Sequence, residues 1–136
     1  MQETAKPGAT AFLVGVHLPG MEDVELKDLL NELDELSQTW GLDVIGQTTV
    51  RVRKPQTKLL VGSGQAGEIA GLAQACGADV IVFDEVLTPS QQRNWEQVAE
   101  SAVIDRQEVI LGIFASRAQT REASLQVALA QARYEL

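Results

Sequence analysis

The chain has 136 residues, 45% of them hydrophobic and 22% charged, with a formal net charge of −8. That length suits one domain with a real core and is too short for a nucleotide domain plus a substrate domain, and the composition excludes a disordered or fibrous chain. Residues 105–136 carry four arginines against four acids, so the acidity lies in the first 104 residues; such a chain does not coat nucleic acid broadly, and any RNA contact must be local.

Residues 1–8, with Lys6-Pro7-Gly8, read as a lead-in. Ala11 to Val16 is a continuous apolar run of strand length, which suits a strand covered on both faces. Beyond Pro19-Gly20, Leu26, Leu29, Leu30, Leu33, Leu36 and Trp40 recur at helical spacing, with Glu25, Asp28, Glu32, Asp34 and Glu35 opposite, and Gly41 ends the helix. Asp43 to Arg53 alternates as a strand, Lys54 to Thr57 makes a loop, and Lys58 to Val61 reads as a second short strand, antiparallel to its neighbour unless the first is an edge. A helical pattern covers Gly64 to Gly77, and an apolar strand follows over Asp79 to Asp84. Thr88-Pro89-Ser90-Gln91 spells an N-cap, a proline at the first helical position and a glutamine at the third, a capping box that starts a helix reaching about Ser101. Ala102 to Asp105 is the last strand, and from Gln107 onward Gly112 is the sole breaker in a helical pattern of some 30 residues.

The alternation predicts an α/β fold with a mostly parallel sheet of four or five strands flanked by helices. Residues 1–105 form the α/β domain and 106–136 a long helix. Its stripe of Leu125, Leu129, Ala132 and Leu136 needs a partner, so the sequence reads as a piece of a longer protein or as one half of a homodimer paired through that helix.

The stretch Val61-Gly62-Ser63-Gly64-Gln65-Ala66-Gly67 is a literal G-x-G-x-x-G between a strand pattern and a helix pattern, and Asp84 stands about 20 residues further on, where a dinucleotide site places its ribose-binding acid. Two readings stand side by side: a nucleotide loop formed by Gly62, Ser63, Gly64, Gln65 and Gly67, or a glycine turn that lets a helix pack close to its strand. A Walker loop is excluded, because Glu68-Ile69 occupies the place where lysine and a hydroxyl must reach the phosphates.

Arg51, Arg53, Lys54 and Lys58 make the one dense basic patch in the acidic half and are candidates for RNA phosphate contact, or else a charged edge that blocks strand pairing. Arg117 and Arg121, one helical turn apart, are further RNA-contact candidates, with a surface ion pair to Glu122 as the plainer reading. Gln92, Arg93, Asn94, Asp105 and Arg106 are polar groups near strand carboxyl ends, where they line a crevice or tie the sheet to the long helix through an Asp and Arg pair. One histidine, His17, and one cysteine, Cys76, build neither a metal site nor a catalytic triad; Cys76 is expected as a small apolar residue in a packed helix end. Glu22, Asp23, Glu25 and Asp28 read as a solvated helix start. With no disulfide possible, no leader and no membrane-length apolar run, a cytoplasmic location is expected.

Four ordered blocks carry a family resemblance: Val61-Gly62-Ser63-Gly64; Val80 to Asn94, VIVFDEVLTPSQQRN; Val103-Ile104-Asp105-Arg106; and Val109 to Tyr134, with ASRAQTREA at its centre. From about Leu60 onward the sequence resembles the N-terminal domain of the HflX family of ribosome-associated GTPases. The resemblance implies a mostly parallel α/β domain, then a helical hairpin, then a G domain that holds GTP and magnesium. It implies that the whole protein binds the large ribosomal subunit, hydrolyses GTP, and separates or rescues stalled ribosomes under stress. No P-loop stands in residues 1–136, so this chain alone is not the GTPase. The family's link to adenine nucleotides leaves weak ATP binding, or ATP hydrolysis by a small α/β module, as the alternative. Gln65 departs from the family pattern, where a basic residue usually stands after the second glycine.

Overall fold

The computed structural model describes the backbone of residues 5–135 and the side chains of residues 5–119, Arg121 and Leu125. In chain order the elements are β1 (Thr10–His17), α1 (Asp23–Trp40), β2 (Asp43–Arg51), α2 (Ser63–Cys76), β3 (Val80–Phe83), α3 (Pro89–Ala99), β4 (Ala102–Asp105) and α4 (Arg106–Glu135). The four strands form one sheet in the order β2-β1-β3-β4, and every pairing is parallel.

Strand position explains strand composition. β1 and β3 lie inside the sheet with helices over both faces, so their apolar runs are continuous, whereas β2 is an edge and exposes Asp43, Gln47, Thr49 and Arg51. Alternate residues serve the two faces. Phe12, Val14, Val16, Ile81, Phe83 and Val103 pack under α2 and α3, against Ile69, Ala70 and Trp95. Ala11, Leu13, Val80, Val82 and Ile104 pack under α1 and α4, against Leu30, Leu33, Val109 and Ile113. Both helical caps read from the sequence form. Gly41 sits in the left-handed region at φ 99 and closes α1 with bonds to Gln38 and Ser37 carbonyls, and Thr88 Oγ1 accepts from Gln91 N–H while Gln91 Oε1 accepts from Thr88 N–H.

Two expectations fail. Lys58 to Val61 is not a strand: the chain turns back on itself through reciprocal backbone bonds between Gln56 and Leu60, each 2.9 Å, with Leu60 at φ 69. Its apolar run is explained by burial instead, since Leu59, Leu60 and Val61 are 4%, 8% and 1% exposed and plug the core beneath α3. The sheet therefore has four strands. Cys76 is exposed at the end of α2 rather than packed, because the buried face of that helix is taken by Ala66, Ile69, Ala70 and Ala73.

Glycine is required where α1 presses closest on β1 and on α4. A Cβ on Gly15 would stand 2.7 Å from Leu30 Cδ1, and one on Gly112 would stand 2.3 Å from the Trp40 ring. The sole breaker in the long helix is thus the point where α4 crosses the end of α1. Gly112→Ala is expected to destabilise the domain by about 1–2 kcal/mol, the overpacking of the Trp40 ring outweighing a gain in helix propensity of just under 1 kcal/mol. Chemical denaturation reads this directly, and an unchanged or raised midpoint would show that Trp40 swings away freely.

Candidate functional site

The predicted basic residues gather where the chain leaves β2. Val52 is buried and donates its N–H to the His17 carbonyl at 2.9 Å, which ties the exit of the strand to the end of β1. Arg51, Arg53 and Lys54 are exposed around it and line a cleft of about 470 Å³ together with Gln56, Gly62 and Gln65. Lys58 lies outside that cleft, exposed on the adjoining Gln56–Leu60 turn. Arg51 also borders two neighbouring clefts, one of about 390 Å³ between α1 and β2 that includes His17, Asp23 and Lys27, and one of about 440 Å³ over the turn from β1 to α1. Asp23 is an anionic neighbour, 4.0 Å away and itself 3.1 Å from His17 Nε2; at 70% and 87% side-chain exposure the Arg51–Asp23 pair holds little energy and leaves the guanidinium available.

Side-chain donors from two helices hold the backbone of this loop. Gln65 Nε2 donates to the Arg51 carbonyl at 2.8 Å. From α3, Gln91 Nε2 donates to the Gln56 carbonyl at 3.2 Å, Asn94 Nδ2 to the Lys58 carbonyl at 2.9 Å and Trp95 Nε1 to the Leu59 carbonyl at 2.7 Å. Trp95 is fully buried and meets Phe83 edge to face, with ring centroids 4.9 Å apart. Sequence reading placed Asn94 with the crevice residues, gave Gln91 a part in the α3 capping box alone and missed Trp95. The signal was present: positions 91, 94 and 95 stand at i, i+3 and i+4, so three donors share one helix face.

The glycine loop is built differently from a dinucleotide loop. Gly62 is the N-cap of α2, and its N–H is taken by Gln65 Oε1 at 3.1 Å, so the helix start is capped by its own side chain. A Cβ on Gly64 or Gly67 would meet nothing within 4 Å, so close packing of helix on strand does not account for them either. Asp84 follows β3, whereas Gly62 comes after β2, and β1 lies between those strands. The two therefore belong to strands that are not neighbours, where the fingerprint needs adjacent strands.

The other polar candidates brace the carboxyl end of the sheet. Asp84 Oδ1 accepts from Val16 N–H at 2.9 Å, while Oδ2 is buried without a partner; burial pushes its pKa up to about 6. Asp105 accepts from Leu87 N–H at 2.9 Å and from Glu108 N–H at 3.1 Å, fixing the β3–α3 loop and the start of α4. Arg106 pairs with Glu32 of α1, so its ion pair ties the long helix to α1 rather than to Asp105. Gln92 Nε2 donates to the Val103 carbonyl and to Glu108 Oε1, at 2.7 and 2.6 Å; burial raises the Glu108 pKa. Arg93 reaches Ser90 Oγ, at 3.4 Å. Arg117 and Arg121 are exposed on α4, beyond Ile113, the last buried residue among those described. Among the described residues no group of three or more His, Cys, Asp or Glu is placed to hold a metal ion, and no helix is long and apolar enough to cross a membrane.

A family model described as GTP-binding GTPase N-terminal matches residues 27–115. GTPase HflX of Akkermansia muciniphila is 47% identical over 126 residues, covering 93% of this chain and 29% of the relative. GTPase HflX of Escherichia coli is 43% identical over 119 residues, covering 88% of this chain and 28% of the relative. The chain spans under a third of the length of these relatives. The crystal structure of an SsGBP point variant is similar in fold, with a TM-score of 0.60 at 24% identity over 93% of this chain and 39% of that one. The family match over well over half of the sequence, with identities above 40% to these relatives, shows that the chain belongs to the family of HflX GTPase N-terminal domains.

Proposed function

We propose that this domain docks its parent GTP-binding protein on the large ribosomal subunit, in the cytoplasm, and couples that docking to a G domain that binds GTP with magnesium and hydrolyses it. On this reading the parent protein separates or rescues stalled ribosomes, and the present domain supplies binding and orientation rather than catalysis. One observation supports the reading above the rest: the acidic half of the chain concentrates its cations Arg51, Arg53, Lys54 and Lys58 on a single exposed loop whose backbone is fixed from two helices. Phosphate oxygens are the natural partners of such a cluster. Arg117 and Arg121 on α4 would add contacts to rRNA or to the G domain. Leu111, Phe114 and Leu125, exposed by 59%, 61% and 64%, form the apolar side of that helix, which suits a second helix of a hairpin.

The glycine loop contributes less to this reading. Its first N–H is occupied by Gln65, and no lysine stands in the loop to meet a phosphate, so adenine-nucleotide binding there lacks both of its usual supports. The test of ribosome docking is the variant with Arg51, Arg53, Lys54 and Lys58 all changed to glutamine. Its affinity for purified large subunits is expected to fall at least tenfold near 100 mM salt. The dependence of log affinity on log salt should flatten by roughly 0.7–0.9 for each phosphate that the variant leaves unneutralised. Unchanged affinity with an unchanged salt slope would remove the basic loop from the interface.

A further inference from the structure

We infer that Asn94 is a positioning residue for anion recognition: from α3 it holds the cationic Arg51–Lys58 loop in its binding shape before any partner arrives. The inference rests on the docking role proposed for that loop and adds how the loop is made ready.

The loop is polar, exposed and short of regular structure, the type of segment that ordinarily samples many shapes. Three features oppose that. Gln56 and Leu60 close a tight turn by reciprocal backbone bonds, with Leu60 in the left-handed region. Leu59, Leu60 and Val61 anchor one side in the core. The carbonyls of Arg51, Gln56, Lys58 and Leu59 then accept from Gln65, Gln91, Asn94 and Trp95, so both ends and the tip of the segment are tied by side chains. A carbonyl at the protein surface finds water without help. A side-chain donor spent on the exposed Lys58 carbonyl therefore adds little to folding and chiefly fixes geometry. Binding a phosphate with an unfixed loop would carry the ordering of that loop as an added cost, and a fixed loop avoids it.

Asn94 is the donor whose role can be isolated. Trp95 is a core residue and Gln91 also completes the cap of α3, while Gln65 also caps α2. The side chain of Asn94 makes its hydrogen bond to Lys58 and is only half-buried. Its removal leaves the four cations in place.

The experiment compares the full chain, Asn94→Ala, Asn94→Gln and the four-glutamine loop variant, binding purified large ribosomal subunits across a salt series. Amide exchange at Leu60 and a thermal melt accompany each. Asn94→Ala is expected to melt with the parent, to lose protection at Leu60 while β1 amides keep theirs, and to bind about three- to tenfold more weakly with the salt slope unchanged. Asn94→Gln, which restores an amide donor, should recover part of that affinity. Loss of affinity together with a flattened slope would mean that a charge interaction was removed, and would overturn the positioning role. Unchanged affinity for Asn94→Ala would overturn it too, and if the four-glutamine variant still loses binding, docking by the loop survives that failure. If neither variant changes binding, the docking role itself falls.

Discussion

Trp95→Ala is expected to lower the unfolding free energy by about 3–5 kcal/mol, the largest effect of any single truncation in this domain. The side chain is fully buried between β3 and the inner side of the Gln56–Leu60 turn, in edge-to-face contact with Phe83, and its indole N–H satisfies the Leu59 carbonyl at 2.7 Å. Truncation opens a cavity and orphans a carbonyl at one stroke. Since small domains hold only about 5–15 kcal/mol in all, the variant should sit near the edge of folding at 37 °C. Trp95→Phe separates the two contributions: most of the ring volume stays, the donor goes, and about 1–3 kcal/mol should follow from the unsatisfied carbonyl together with the smaller ring. Urea titration with an unchanged m-value would measure both. A Trp95→Phe variant as stable as the parent would show that the loop does not depend on the indole bond.

Trp95 also illustrates where sequence reading succeeded and where it stopped. The apolar runs of β1 and β3, the amphipathic spacing of α1, the Gly41 stop and the Thr88 capping box each follow from local rules, and the fold class was legible from them. Lys58 to Val61 defeated the same rules because an apolar run of strand length is also what a buried plug requires; only the tertiary position of α3 decides between them. The literal G-x-G-x-x-G left two readings side by side for a related reason. Local form cannot show that β1 inserts between β2 and β3, and that insertion alone separates the Gly62 loop from Asp84. The basic cluster was legible as composition, but its rigidity was not, because the holding donors belong to a helix more than thirty residues downstream.

Asp84→Asn is expected to raise stability at neutral pH, by an amount that vanishes in acid. Burial pushes the Asp84 pKa above its ordinary 3.8 to about 6, against the lowering influence of its bond from Val16 N–H and of Arg106. A carboxyl whose folded pKa is raised binds its proton more tightly in the folded state. Its contribution is therefore most favourable below about pH 4 and is lost as pH rises from 4 to 6, a span that corresponds to about 3 kcal/mol. Asparagine keeps an oxygen for the Val16 N–H but never ionises, so the penalty above pH 6 disappears; an unpartnered amide donor in place of Oδ2 offsets about 1 kcal/mol or more of the gain. Glu85 and Glu108 also carry raised pKa values from burial and titrate in both proteins, so the difference between the two stability curves isolates Asp84, with a smaller part from the relief of its repulsion on Glu85. Unfolding free energies at pH 4 and pH 7.5 give the result: an advantage of about 1–2 kcal/mol for Asp84→Asn at pH 7.5 that falls to zero or below at pH 4 fits a buried carboxylate held against its own desolvation. Parallel curves would mean that Asp84 is already hydrated or paired, and that the carboxyl end of β3 is more open to water than its 6% exposure indicates.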